Sequence, residues 1–101
     1  MTILHLALTH DWHQAQQTGE YRTSTLGRTL DQVGYIHCSR DHTQLHQVAT
    51  TFYSHVTQPL TILEIDPTGL DIRIEDGFPH LYGPLPTTAV TSTTPYAHNT
   101  R

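Results

Sequence analysis

Lysine is absent from this chain of 101 residues, and its five arginines are scattered. A surface for duplex nucleic acid needs clustered cations, so that class of partner is excluded. Cysteine occurs once, as Cys38, so no internal disulfide can form, and a reducing compartment, the cytoplasm, is expected. No apolar run approaches the roughly 20 residues of a membrane-spanning helix, and Met1-Thr2-Ile3 lacks the basic start of a signal peptide. The six glycines are dispersed, which removes a glycine-rich phosphate cradle. Neither a G-x-S-x-G elbow nor an H-E-x-x-H helix is present. Hydrophobic content of 36% and charged content of 14% are both low for a globular chain.

Threonine (18), histidine (9) and glutamine (7) fill that space. Protonating every histidine would carry the formal charge from −4 to +5, so anion binding and solubility should change as pH falls through about 6.5. The length suits one domain, expected over residues 1–94, with a loose tail at 95–101. Oligomeric state is not readable from the chain.

Hydrophobic periodicity predicts the elements. A first strand at about 2–8 places Leu4, Leu6 and Leu8 on a core face and His5 on the other, with Ile3 and Ala7. Thr9 then caps a helix over 10–18 whose inner stripe is Trp12, Ala15 and Gln16, stopped by Gly19. Residues 22–33 have no period and read as a loop. A second strand at 34–38 puts Ile36 and Cys38 on one face and Tyr35, His37 and Ser39 on the other, with Ser39 also the cap of a helix over 40–53. In that helix Leu45, Val48, Ala49 and Phe52 repeat as one buried stripe. Strands follow at 60–65 and 71–75 around the turn Asp66-Pro67-Thr68-Gly69, the second with Asp71, Arg73 and Glu75 on its polar side. Prolines at 79, 84 and 86 leave His80–Leu85 as a short or edge strand, and 89–93 forms the last one. This order predicts an α+β fold.

Three histidines, His5, His37 and His80, lie inside apolar runs rather than in loops, two of them with a tyrosine two positions away. Each alone can be a half-buried, hydrogen-bonded strand residue. Together with Tyr35, Tyr82, Glu75 and Asp76 they can instead line a polar cleft. Tyrosine and histidine rings stack on flat heterocycles and hydrogen-bond ribose hydroxyls, and a carboxylate near a sugar C1 stabilises positive charge as a glycosidic bond loosens. The other reading of Glu75-Asp76 is a solvated strand end. His10 with His13 and His42 with His46 have helical spacing for zinc, but one cysteine and the solvated positions argue against a metal, and none is expected. Cys38 sits with Ile36 on the core side, as an inert thiol. His5, His37 and His80 are expected to converge within one nucleotide length, with at least one depressed pKa, while His13, His46, His55 and His98 scatter over the surface. Removing the His5 or His37 side chain should then weaken a cleft ligand with little loss of folding.

Several blocks resemble a bacterial family catalogued as domain of unknown function 952, from about Ile3 to Val90. They are His5 with Asp11-Trp12, Gly19-Glu20-Tyr21, Gly34-Tyr35-Ile36-His37-Cys38-Ser39, Ile65-Asp66-Pro67, Glu75-Asp76 and Phe78-Pro79-His80-Leu81-Tyr82-Gly83-Pro84-Leu85. That family is similar in fold to ADP-ribosyltransferases. The resemblance implies split antiparallel or mixed sheets with two helices in the N-terminal half, and NAD as a substrate held in a cleft. It makes His5 the adenosine-ribose histidine and His37 or Tyr35 the group near the nicotinamide ribose, with Ser39 and Tyr82 among the binding residues. The family's late-strand catalytic glutamate has no clear match; Glu75 is nearest by chain order, and His80 is the other candidate. Two functions follow: a nucleotide-binding enzyme that transfers ADP-ribose, or a ligand-binding or protein-interaction domain that keeps the cleft without catalysis.

Overall fold

The computed structural model describes residues 2–97. Strand β1 (Ile3–Leu8) runs into helix α1 (Thr9–Thr18), then β2 (Glu20–Tyr21), the short helix α2 (Leu30–Val33) and β3 (Ile36–His37). Helix α3 (His42–Phe52) follows, then β4 (Leu60–Ile65), β5 (Ile72–Glu75), β6 (Phe78–Leu81), β7 (Leu85–Pro86), a 3-10 turn at Thr87–Ala89 and β8 (Val90–Tyr96). Among the described residues these strands make three antiparallel sheets, ordered β1-β4-β8, β2-β7 and β3-β6-β5, so the fold is α+β.

Both faces of β1 are buried, which corrects the expectation of a single core face. Leu4 and Leu6 meet Leu45, Val48, Ala49 and Tyr53 beneath α3, with Leu60 and Ile62 from β4. Ile3 and Ala7 meet Trp12, Ala15, Tyr21, Ile36, Leu63 and Leu81 on the other side. A strand between two helical layers must be apolar on both faces, and His5 shares the second core.

Several helix boundaries differ from expectation for local reasons. Thr9 is the first helical residue, its Oγ1 2.7 Å from Thr61 Oγ1, and Leu8 stands at the N-cap without a side-chain cap. Gln16 is exposed. Gly19 ends α1 at φ 88°, the left-handed conformation glycine adopts at least cost. Helix α3 is capped by Asp41, whose carboxylate accepts from the Gln44 N–H at 2.9 Å, and not by Ser39. The Ser39 backbone is engaged instead in a reciprocal bridge with Leu4, both bonds 2.7 Å. Phe52, placed on the buried stripe by its spacing, is 52% exposed. The segment 22–33 carries α2, whose Thr29 and Gln32 form a reciprocal capping box.

Strand β6 is the centre of its sheet rather than an edge. Asp76 (φ 53°) and Gly77 (φ 82°) form a two-residue hairpin turn that pairs Glu75 with Phe78 and Arg73 with His80. Cys38, just past β3, donates its N–H to the Pro79 carbonyl at 2.9 Å, so the strand loses only the donor that proline lacks. Gln44 Nε2 donates to the Gly77 carbonyl at 2.7 Å, tying α3 to the hairpin tip. Strand β8 extends through Tyr96, so Pro95 and Tyr96 are paired with β4; residues 98–101 of the expected tail lie outside the described residues. Among the described residues no helix is long and apolar enough to cross a membrane.

Two residues of one predicted stripe should respond differently to truncation. Leu45, 1% exposed, should lose about 2–5 kcal/mol on substitution by alanine. Phe52→Ala should cost less than about 1 kcal/mol. Urea unfolding of both variants checks this; equal losses would contradict the packing described.

Candidate functional site

Period-two alternation and the sheet register place one set of side chains on a single face of β3-β6-β5. His37 is paired with His80 and His80 with Arg73, so all three project to the same side, as do Phe78 and Glu75. Tyr35 and Tyr82, each two residues from a strand histidine, continue that face. The opposite face carries Ile36, Cys38, Pro79 and Leu81, all buried. Cys38 is there as expected, its thiol pushed up to about 12 by burial, which makes it inert.

A hydrogen-bonded chain runs across the polar face. Glu75 Oε1 lies 2.8 Å from His80 Nδ1, and His80 Nε2 lies 3.1 Å from His37 Nδ1. Tyr82 donates its hydroxyl to the same Glu75 oxygen at 2.5 Å. These two donors hold the Glu75 carboxyl below its usual range. An ionised Glu75 can only accept, so the proton His80 shares with it sits on Nδ1, and the neutral tautomer that this selects has Nε2 as its acceptor. His37 must then donate from Nδ1, and its own Nε2 is left unprotonated, with no hydrogen-bond partner among the described residues. Burial, and then the neighbouring His80, lower the His37 pKa to about 4, so His37 is neutral near pH 7.

Aromatic contacts fix the rings. Tyr35 stacks on His80 with centroids 4.0 Å apart and planes at 11°, and Phe78 lies 4.8 Å from the His37 ring. Arg73 sits over Tyr82 at 4.0 Å and pairs with Asp71 at 3.0 Å. The face opens on a cavity of about 640 Å³, whose walls include Tyr35, His37, Glu75, Asp76, Phe78 and His80. Across it stand Gln47, Thr51 and Phe52 of α3, with Ser24 and Thr25 from the connection after β2.

His5 and Ser39 are not part of this wall, contrary to their expected place in the cleft. His5 is 3% exposed and lies one layer behind. Its Nδ1 donates to the His37 carbonyl at 2.6 Å, and its Nε2 accepts from the Tyr21 hydroxyl at 2.9 Å. Burial lowers its pKa to about 4. Ser39, also buried, faces a small void of about 10 Å³ behind His37. Removing His5 would orphan two buried polar groups, so the expectation of little loss of folding does not hold for it. The three imidazoles do converge, two on the cavity and one behind it, while His13, His46 and His55 are exposed; His98 lies outside the described residues. The sequence reading missed Ser24, whose buried hydroxyl accepts from the His37 N–H at 3.1 Å, and the cavity role of Phe52. A small polar residue in a loop gives no periodic signal, whereas Phe52 is the outermost member of its stripe.

The chain belongs to the family described as "Protein of unknown function (DUF952)", which it matches over residues 6–93. Its fold is similar to that of protein CC0527 from Caulobacter crescentus. The crystal structure of that protein is 24% identical, covers 99% of this chain and 90% of its own, and superposes with a TM-score of 0.80. Its solution NMR structure gives 27% identity, coverage of 92% and 82%, and a TM-score of 0.71. No curated protein matches the chain.

Two histidines held neutral by burial make stability depend on acid. An unfolded histidine takes up a proton near pH 6.5, while folded His5 and His37 resist it until about 4. Between those values the unfolded state binds more protons, so stability should be full above about 6.5 and fall as pH drops toward 4. For fully buried His5 the loss approaches about 3 kcal/mol. Urea titrations from pH 7.5 to 4 should show this slope, and His5→Gln should be less stable at pH 7 yet flatter in acid. An unchanged slope in that variant would contradict the assignment.

Proposed function

We propose that the cavity binds NAD or an ADP-ribose-like nucleotide, with ADP-ribose transfer as its reaction, on an ADP-ribosyltransferase-like arrangement of the sheets. The observation that carries this reading is the Glu75–His80–His37 chain opening on the aromatic-walled cavity of about 640 Å³. That volume suits a ligand of nucleotide size. Tyr35, Phe78 and Phe52 offer faces for a flat heterocycle. Glu75 and Asp76 are the charged residues of the lining, and both are acidic. They favour the cationic nicotinamide ring of NAD and the positive charge that develops at C1′ as the glycosidic bond loosens. In this reading His37 and Tyr35 meet the nicotinamide riboside. Glu75 and His80, the two candidates for the missing third group, act as bonded partners. Tyr82 braces Glu75, and His5 and Ser39 support the wall from behind rather than touching ligand.

The same lining also supports the second function. Among the described residues it contains no arginine to neutralise a pyrophosphate, which suits a binding or interaction domain for a smaller, uncharged or cationic heterocycle.

Calorimetric titration with NAD, ADP-ribose and nicotinamide separates the two. The proposal expects NAD to bind, with Tyr35→Ala weakening it by about 1–2 kcal/mol through the lost stacking face, and with thermal unfolding little changed. Nicotinamide binding without NAD favours the second function. Absence of heat from all three at millimolar concentration overturns nucleotide binding.

A further inference from the structure

Resting on that nucleotide reading, we infer that His37 Nε2 is the general base for a hydroxyl nucleophile, with His80 and Glu75 as positioning residues that carry the proton charge away. The geometry gives the proton a direction. Glu75 accepts from His80 Nδ1 at 2.8 Å, His80 accepts from His37 Nδ1 at 3.1 Å, and the last lone pair in the series is His37 Nε2 on a cavity-lining ring. An imidazole oriented by a second hydrogen-bonded group, itself oriented by a carboxylate, is the arrangement that lets a neutral base take a proton during attack.

The hydroxyl oxygen of an alcohol or water bonds to C1′ of the nicotinamide riboside. The C1′–N bond breaks, and its electron pair neutralises the pyridinium, releasing nicotinamide. The hydroxyl proton goes to His37 Nε2, the His37 Nδ1 proton passes to His80 Nε2, and the positive charge comes to rest against the Glu75 carboxylate before the proton returns to solvent. A carboxylate acceptor would have no proton to give up, so the relay suits a nucleophile that loses a proton on attack, and an alcohol or water is the one proposed. The ionisable groups that face His37 are His80 and Glu75 across the sheet, Asp76 at the hairpin, Tyr35 on its own side, and His5 and Tyr53 around the small void behind it; the α3 side of the cavity carries the uncharged Gln47 and Thr51.

Two measurements on the full chain test the relay. Long-range ¹⁵N correlation spectra at pH 7 should show His37 and His80 each protonated at Nδ1 and bare at Nε2, and Glu75→Gln should move the His37 titration to lower pH by removing the charge that favours the shared proton. A His37 protonated on Nε2, or a titration unmoved by Glu75→Gln, overturns the relay. With NAD as probe and methanol as added acceptor, the wild type should release nicotinamide and form the methyl ADP-riboside. His37→Asn should slow turnover by about 10²–10⁴-fold with KM little changed. Glu75→Gln should shift the acid limb of the rate profile in the same direction as the titration. If calorimetry shows NAD bound but nicotinamide is not released, or His37→Asn is as fast as wild type, the relay falls and the ligand reading stands. If NAD does not bind, the ligand reading falls and the ring spectra alone decide for or against the relay.

Discussion

The His5 imidazole donates from Nδ1 to the His37 carbonyl and accepts at Nε2 from the Tyr21 hydroxyl, 2.6 and 2.9 Å away. These three residues belong to three different sheets, β1-β4-β8, β2-β7 and β3-β6-β5. One buried side chain therefore joins all three sheets, beside the Leu4–Ser39 backbone bridge between β1 and the segment after β3. The sheets are short, with β2, β3 and β7 only two residues each, and such ladders are marginal without side-chain support. A carbonyl that needs a donor and a hydroxyl that can give one are satisfied together by a group with one donor and one acceptor at fixed separation. Neutral imidazole is such a group, and its depressed pKa is the electrostatic consequence of the site that needs it neutral.

What His5 holds is the backbone of His37, and the Ser24 hydroxyl accepts from the same residue's N–H. With its carbonyl and its amide engaged, His37 keeps its ring aimed across the sheet at His80. Rigid backbone behind the His37 ring keeps the hydrogen-bonded chain from loosening by the ångström that would break it. The stacked Tyr35 does the same for the His80 ring from the front.

Much of this face is written in the sequence as alternation. Tyr35 and His37, His80 and Tyr82, and Arg73 and Glu75 are pairs two apart, and each pair does share a side. The Asp76-Gly77 turn then fixes which pairs face each other, since Glu75 opposite Phe78 sets Arg73 opposite His80. Alternation cannot say how many faces of a strand are covered. His5 looked cleft-facing because Ile3 and Ala7 make a weaker apolar face than Leu4, Leu6 and Leu8, yet that face packs against a second core. Phe52 shows the converse error: its spacing fits the stripe, but the helix ends there, at the mouth of the cavity rather than over β1. The 43-residue separation of His37 from His80 is a tertiary pairing, and no local pattern encodes it. Ser39 is of a type common at helix caps, but its backbone is held in a bridge to Leu4, and Asp41, two residues on, takes that role.

The absence of lysine matters again at Glu75. Its nearest arginine on the same strand face, Arg73, is occupied by Asp71 and by the Tyr82 ring. Glu75 is stabilised instead by donors that carry no fixed charge, the Tyr82 hydroxyl and the His80 N–H. A direct arginine pair would hold the carboxylate equally well but would cancel its charge toward the cavity. With neutral donors the carboxylate stays ionised and fixes the His80 tautomer. Its field also remains available to compensate positive charge beside it, whether on an imidazolium or on a ligand. An acidic, lysine-free domain that buries a neutral His37 near this carboxylate is therefore electrostatically consistent. The site holds its negative charge on a carboxylate with 42% of its side chain exposed, where desolvation costs little, and leaves His5 and His37 uncharged.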